Sequence, residues 1–322
     1  MNKKGDKMIS KDAKISVIGA GFVGSTTVYA IMMQKLASRI VIVDLNEEKA
    51  EAEALDIAHS AAFVEDIVIE YGDYSSTKDS DIVIITAGPQ PKYGESRLDV
   101  LKKGLSVNAS VVPEVVKYSP NAIVIQVANP VDILTYQTYK LSGFPKERII
   151  GSGTVVDSAR LKYSIGKKYN INHRRISAYV LGEHGDSQVA AWSSITVSGI
   201  QLDEYLKKLN LSIDDEIKDD ISNMVKRVGF DIVRGKGYTS FGIGTAVSSI
   251  VKAIVDNDNT VLPVSALYSG QYGIDDVYIS APCIISAKGI KNILEIDLSK
   301  EESEKLHASA NLIKGLNKSS GL

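Results

Sequence analysis

KISVIGAGFVGSTTVYAIMMQKLASRIVIVD, Lys14 to Asp44, decides how this chain folds. The strand-like KISVI runs straight into GAGFVG, the helical FVGSTTVYAIMMQKL follows, and a second strand-like run, IVIVD, closes the stretch. Strand, glycine turn, helix and strand in that order make the first βαβ unit of a dinucleotide-binding sheet. Gly19, Gly21 and Gly24 fit G-x-G-x-x-G, in which glycines permit a tight turn and close backbone approach. The helix N-terminus behind them offers N–H groups and a positive dipole to a pyrophosphate. Asp44 ends the second strand, where a carboxylate can accept hydrogen bonds from the adenosine ribose and repel a 2′-phosphate. NAD, not NADP, is the expected cofactor. The plainer alternative is a glycine turn packing a helix onto a sheet, with Asp44 a surface acid; motif, element order and spacing together favour the nucleotide.

Outward from this unit, IVIEYG, DIVIITAG and AIVIQVAN lack polar alternation, as strands buried on both faces should. Between the strands lie helical stretches: NEEKAEAEALDIAHSAAF, opened by an Asn cap and an acidic turn, and RLDVLKKGLSVNASVVPEVVKYS. The fold class is therefore α/β, a doubly wound parallel (Rossmann) sheet through residue 150. Beyond it the pattern mixes a helix near Ser158 to Lys168, strand-like ISAYVLG and SSITVSGI, an acid-capped helix near Ile213 to Arg234, and strand-like VYISAPCIIS. That mixture suggests a C-terminal α+β catalytic domain. A last helix starts at SKEE, where Ser299 and Glu302 have capping-box spacing, with Leu306, Ile313 and Leu316 able to share one face. The expected division is a disordered tail over 1–13, a nucleotide domain over 14–150, a substrate domain over 151–316 and a tail over 317–322.

A chain of 322 residues exceeds the length at which one core usually stops growing, which agrees with two lobes. With 44% hydrophobic and 24% charged residues and a net charge of −2, nothing advertises a nucleic-acid or acidic-membrane partner. Cys283, the single cysteine, excludes an internal disulfide and a Cys-rich zinc site, and its apolar surroundings read as a buried strand. The sequence has no apolar run of 18 residues and no signal-like start, so a soluble, cytoplasmic protein is expected. The sequons at Asn108, Asn210 and Asn317 are then chance matches.

Of four histidines, His173 and His307 lie in polar settings, and His59 reads as packing or capping near a helix end. His184 differs because LGEHGDS is a glycine-flanked turn directly after an apolar strand, a place from which an imidazole can reach a cleft. In GSGTVVDSAR, Asp157 and Arg160 stand three apart at a helix start, where spacing alone would allow no more than an ion pair.

GAGFVG with Asp44, GPQPKYGESR, VANPVD, GSGTVVDSAR, GEHGDS and GYTSFGIG occur in the order and approximate spacing of the L-lactate and malate dehydrogenase family, which the chain resembles from Lys14 to Leu316. The resemblance implies that His184 exchanges the proton, that Asp157 fixes its tautomer, and that Arg160 grips the substrate carboxylate as a planar two-pronged donor. It implies that Arg97 rides a mobile loop and polarises the reacting carbonyl, and that Asn129 and Thr239 line the substrate site. It also implies NAD contacts from Val23, Asp44, Lys49, Tyr74, Gly88, Ser110, Val127, Asn129 and Ser152, and a homotetramer.

Two positions depart from that family. Counting through AGPQPKYGESR without a gap, Pro91 stands where lactate enzymes carry Gln and malate enzymes Arg, with Gln90 one place earlier and Tyr93 where proline is usual. Proline cannot donate to or balance a second carboxylate, so pyruvate is expected over oxaloacetate, and larger aliphatic keto acids are the alternative. DIAHS also resembles the lactate branch. Family members activated by fructose 1,6-bisphosphate present Arg and His where this sequence has Lys162 and Ser177, which predicts weak or absent activation. Two other classes compete: NAD-dependent glycosidases, whose Cys and His metal ligands this chain lacks, and a silent NAD-binding protein, against which the retention of Arg97, Asp157, Arg160 and His184 speaks.

Overall fold

The computed structural model describes residues 9–64, 66–89 and 97–322, without the side chain of Arg97. Pro91, Gln90 and Tyr93 lie outside the described residues, as does the guanidinium of Arg97. Strands β1 (Lys14–Ile18), β2 (Arg39–Val43), β3 (Val68–Tyr71), β4 (Ile82–Ile85), β5 (Ile123–Gln126) and β6 (Ile149–Gly151) pair in parallel in the order β3-β2-β1-β4-β5-β6. Helices α1 (Phe22–Met33), α2 (Glu47–Ala61), α3 (Arg97–Tyr118) and α4 (Val131–Ser142) connect them. Side chains alternate between the two faces, so Ile82 and Ile84 join one apolar cluster while Val83 and Ile85 join another. Both faces are covered, which is why these strands show no polar alternation. Strand order reverses between β1 and β4, and that reversal opens a crevice at the carboxyl ends of the strands.

Caps set the helix starts where the sequence placed them. Asn46 accepts the Lys49 N–H at 3.0 Å to open α2, and Ser299 and Glu302 form the reciprocal capping box of α9 (Lys300–Ser319).

The second half contains α5 (Val155–Tyr169), five two-residue strands, β7 (Ile176–Ser177), β8 (Val180–Leu181), β9 (Val189–Ala190), β10 (Thr196–Val197) and β11 (Ile200–Gln201), then α6 (Leu202–Lys208), α7 (Asp215–Lys236) and α8 (Phe241–Asp256). Three long antiparallel strands follow, β12 (Val261–Ser269), β13 (Asp275–Ser286) and β14 (Gly289–Ile293). The large sheet is not confined to the first 150 residues. β12 pairs antiparallel with β6 at Ser265 and Gly151, and β13 and β14 extend the sheet to nine strands. Cys283 is fully buried within β13, and burial pushes its thiol well above the ordinary range, so it is a core residue.

Described residues from both proposed tails reach the core. α9 continues to Ser319, Asn317 is buried, and Leu322 packs against the apolar clusters, because the last turn is held by the Leu322 N–H donating to Asn317 O at 3.0 Å. At the other end Ala13 is buried and Ile9 packs against the same core, ahead of β1.

Candidate active site

The glycine turn divides its three glycines by what requires them. Gly19 holds φ +113° and its N–H donates to Val43 O at 2.7 Å, and a Cβ there would meet Thr86 Oγ1 at 2.7 Å. A Cβ on Gly24 would stand 1.9 Å from Gly19 O. Around Gly21 no atom of the protein lies within 4 Å of the Cβ position, so packing does not require a glycine there. Gly21 lines a cavity, so bare backbone faces that space. α1 begins at that point with no side-chain cap and no acid in its first turn, so its N–H groups and dipole are offered to an anion. Asp44 Oδ2 accepts the Ala20 N–H at 2.7 Å and Oδ1 the Asn46 N–H at 2.9 Å, which fixes the carboxylate at the edge of the glycine turn. Uncapped helix end, bare Gly21 and fixed acid together suit a dinucleotide with free ribose hydroxyls.

From this turn a cavity of about 980 Å³ extends between the two halves of the chain. Gly21, Val23, Gly24, Gly88, Val127, Asn129, Ser152, Arg160, His184 and Thr239 all line it. The other expected residues whose side chains are described do not line it. Gly19 shapes the turn, Asp44 stands at its edge, and Asp157 is buried behind the wall. Lys49 projects from the first turn of α2 to lie 5.8 Å over the Phe22 ring. Tyr74 is packed against an apolar cluster, where burial raises its phenol. Ser110 is exposed on α3 with its hydroxyl donating to Val107 O at 2.7 Å.

Residues from distant parts of the chain meet at the wall of the cavity. The start of α5 is pinned to β8: the Thr154 hydroxyl donates to Val180 O, and the Val180 N–H donates to Ser158 Oγ at 2.9 Å. That anchorage sets Asp157 and Arg160 before the turn that follows β8. His184 Nδ1 lies 2.6 Å from Asp157 Oδ2, and Arg160 Nη1 donates to Asp157 Oδ1 at 3.0 Å. The ion pair that spacing alone allowed is present, and the same carboxylate also holds the imidazole. Burial opposes ionisation of Asp157, but His184 and Arg160 outweigh it and hold the carboxyl below its usual range. Burial likewise opposes the imidazolium of His184; Asp157 and then Asp132 overcome this and raise its proton affinity, with Arg160 working against them.

Three features escaped the sequence reading. Phe22 and Tyr238 stack with ring centroids 3.8 Å apart and an interplanar angle of 5°, joining the α1 start to the α7–α8 connection beside the cavity. Lys236 lies 4.4 Å from the centre of the Tyr238 ring and 4.1 Å from that of Phe241. Asp132, in the VANPVD motif already singled out for Asn129, accepts the backbone N–H of His184 at 2.7 Å. Its signal was there, an acid three residues after Asn129, but burial gives it its significance. His59, His173 and His307 are exposed and none lines the cavity. Among the described residues no group of three or more His, Cys, Asp or Glu could hold a metal ion.

Residues 13–151 match the family model of the lactate/malate dehydrogenase NAD binding domain, and residues 154–319 that of the lactate/malate dehydrogenase alpha/beta C-terminal domain. The chain is 53% identical over 305 residues to an L-lactate dehydrogenase of Clostridium perfringens, covering 95% of this chain and 96% of the relative. It is 50% identical over 310 residues to an L-lactate dehydrogenase of Clostridium botulinum, covering 96% and 98%. Among solved structures, the minor L-lactate dehydrogenase of Enterococcus mundtii in a ligands-bound form superposes with a TM-score of 0.92 at 37% identity, covering 96% of this chain and 99% of that one. A lactate dehydrogenase from a Medee basin deep-sea metagenome library superposes with a TM-score of 0.93 at 35% identity, covering 98% and 100%.

Proposed function

The chain belongs to the lactate/malate dehydrogenase family, and from that premise we propose that it is an NAD-dependent L-lactate dehydrogenase interconverting pyruvate and L-lactate. The observation that carries this reading is the Asp157 carboxylate, which spans His184 and Arg160 on a cavity that the glycine turn also lines. When bound, NADH supplies the hydride that reduces the 2-carbon of the keto acid. The residues of the chain do the rest. With Nδ1 engaged by Asp157, Nε2 is the ring nitrogen left to give a proton to the carbonyl oxygen as charge builds there. Asp157 fixes the tautomer and stabilises the imidazolium, and a positioned acid of this kind contributes about 10²- to 10⁴-fold. Arg160 offers its planar guanidinium to the substrate carboxylate. Arg97, the first residue of α3, polarises the carbonyl, while Asn129 and Thr239 border the substrate.

Pro91 makes oxaloacetate a poor substrate, since its second carboxylate finds no cation there. The test is an NADH-oxidation panel of pyruvate, oxaloacetate, 2-ketobutyrate and 2-ketoisocaproate compared by kcat/KM. Pyruvate should lead; silence on all four would overturn the enzymatic reading, and a lead for oxaloacetate the role given to Pro91.

The proposal extends to a cytoplasmic homotetramer. No described helix is long and apolar enough to cross a membrane, and Phe63 and Phe230 expose 91% and 67% of their surfaces, as contact residues of an assembly would in a lone chain. Fructose 1,6-bisphosphate activation should be weak, since Lys162 keeps one positive group of the usual pair and Ser177 carries no charge.

A further inference from the structure

Asp132 sits in the first turn of α4, 2% exposed, and does not line the cavity. Its carboxylate joins three separate parts of the chain. Oδ2 accepts the His184 N–H at 2.7 Å, and Oδ1 accepts the hydroxyl of Ser265, on β12, at 2.6 Å. An asparagine would satisfy both partners, with its carbonyl accepting the N–H and its amide donating to the hydroxyl, which accepts as readily as it donates. Asparagine would also avoid burying a charge. Burial raises the proton affinity of Asp132 to a pKa of about 6, against the lowering effect of the Ser265 and His184 hydrogen bonds. What a carboxylate offers here, and an amide does not, is negative charge close behind an imidazole.

We propose that Asp132 is a positioning residue for His184, holding the backbone of its turn and supplying, with Asp157, a second negative charge that favours the protonated imidazole. This rests on the reading of His184 as the proton donor. Among the described residues, the charged groups acting on the imidazole are Asp157 and Arg160 from α5 and Asp132 from α4. Glu183 stands beside it in the turn, where its carboxylate accepts from Ser187, and Lys236 lines the same cavity. β12 and α9 contribute the hydroxyls of Ser265 and Ser309, the latter accepting the Glu183 N–H at 2.9 Å. Among the described residues only Asp157 hydrogen-bonds the ring, so the contribution of Asp132 is through space and its loss should move a titration without removing the proton donor.

The experiment measures two midpoints in the wild type, Asp132→Asn and Ser265→Ala. One is the alkaline limb of kcat/KM for pyruvate reduction; the other is the His184 imidazole titration, followed by NMR on histidine-labelled protein and assigned by the signal missing from His184→Ala. Asp132→Asn should lower both midpoints by about 0.5 to 1 pH unit, with NADH affinity unchanged. Ser265→Ala should lower them less, because losing the hydroxyl donor leaves Asp132 more often protonated near neutrality. Midpoints equal to the wild type in both variants would overturn the proposal. Should Asp132→Asn fail to fold, Ser265→Ala decides by the same criterion. Inactivity of the wild type on every keto acid would instead overturn the enzymatic reading, and the NMR midpoint would still decide the effect of Asp132.

Discussion

His184 and Asp157, 27 residues apart in the chain, meet through a 2.6 Å contact between Nδ1 and Oδ2. The carboxylate is almost fully buried, so its charge acts on the imidazole with little screening by water. His184 keeps its proton above the ordinary value of about 6.5, and Asp157 loses its proton below about 4. By linkage, the histidine contributes stability that is fully present below about pH 6.5 and is lost as pH rises through its raised folded value. The aspartate contributes stability that is present above about pH 4 and is lost as pH falls through its lowered folded value. Asp157→Asn should therefore show its largest loss of thermal stability between about pH 4 and 6.5, with the deficit shrinking on either side. Pyruvate reduction should fall about 10²-fold or more, and its alkaline limb should move to lower pH. Thermal melts and pH–rate profiles of the pair of proteins check both outcomes.

Gly21 and Gly24 should separate binding from folding. With open space at its Cβ position, Gly21→Ala should leave the melting temperature unchanged while weakening NADH binding about tenfold, or about 1.4 kcal/mol. Gly24→Ala should instead destabilise the protein by about 1 to 3 kcal/mol, because the added methyl meets the Gly19 carbonyl. Denaturant unfolding alongside a fluorescence titration of NADH distinguishes the two.

Arg160→Lys keeps the positive charge but loses the planar fork. A raised KM for pyruvate, by about tenfold to a hundredfold, is expected with NADH affinity unchanged. A fall confined to kcat would assign Arg160 to the Asp157–His184 pair alone, and steady-state kinetics at saturating NADH make the distinction.

Asp132 burdens the fold as pH rises. Its folded pKa of about 6 lies above the ordinary 3.8, so the protein loses stability as pH climbs from the lower value to the higher. Asp132→Asn should therefore melt higher than the wild type above pH 6 and converge with it towards pH 4. The expected gain is about 1 to 3 kcal/mol at most, the free energy that separates the buried carboxyl from an ordinary one. Calorimetric melts across that range measure it.

β1 to β5 and α1 to α3 were legible because local marks identify them: apolar β-branched runs, an Asn46 cap, a glycine turn between strand and helix. α8 was not, since FGIGTAVSSIVKAIVD opens with two glycines and carries a β-branched run, IVKAIV, that equally suits a buried strand. It packs against α1, α5 and β13, and those contacts cover its apolar face. The two-residue strands β7 to β11 are too short to show a period. In the same way, Asp157 and Arg160 carried an ambiguous spacing in the sequence, and the anchorage of α5 on β8 gave them a shared partner in His184.

The sequence by itself determined the parallel nucleotide sheet, the glycine turn, the family resemblance and the residue types of the site, because these reside in runs of a few dozen neighbouring residues. Tertiary structure alone decided that β12 to β14 continue that sheet, that Asp157 serves Arg160 and His184 at once, and that Asp132 lies buried against the His184 turn. Proximity across 27 to 133 residues and the removal of water from a carboxylate are properties of packing, and only the folded chain sets them.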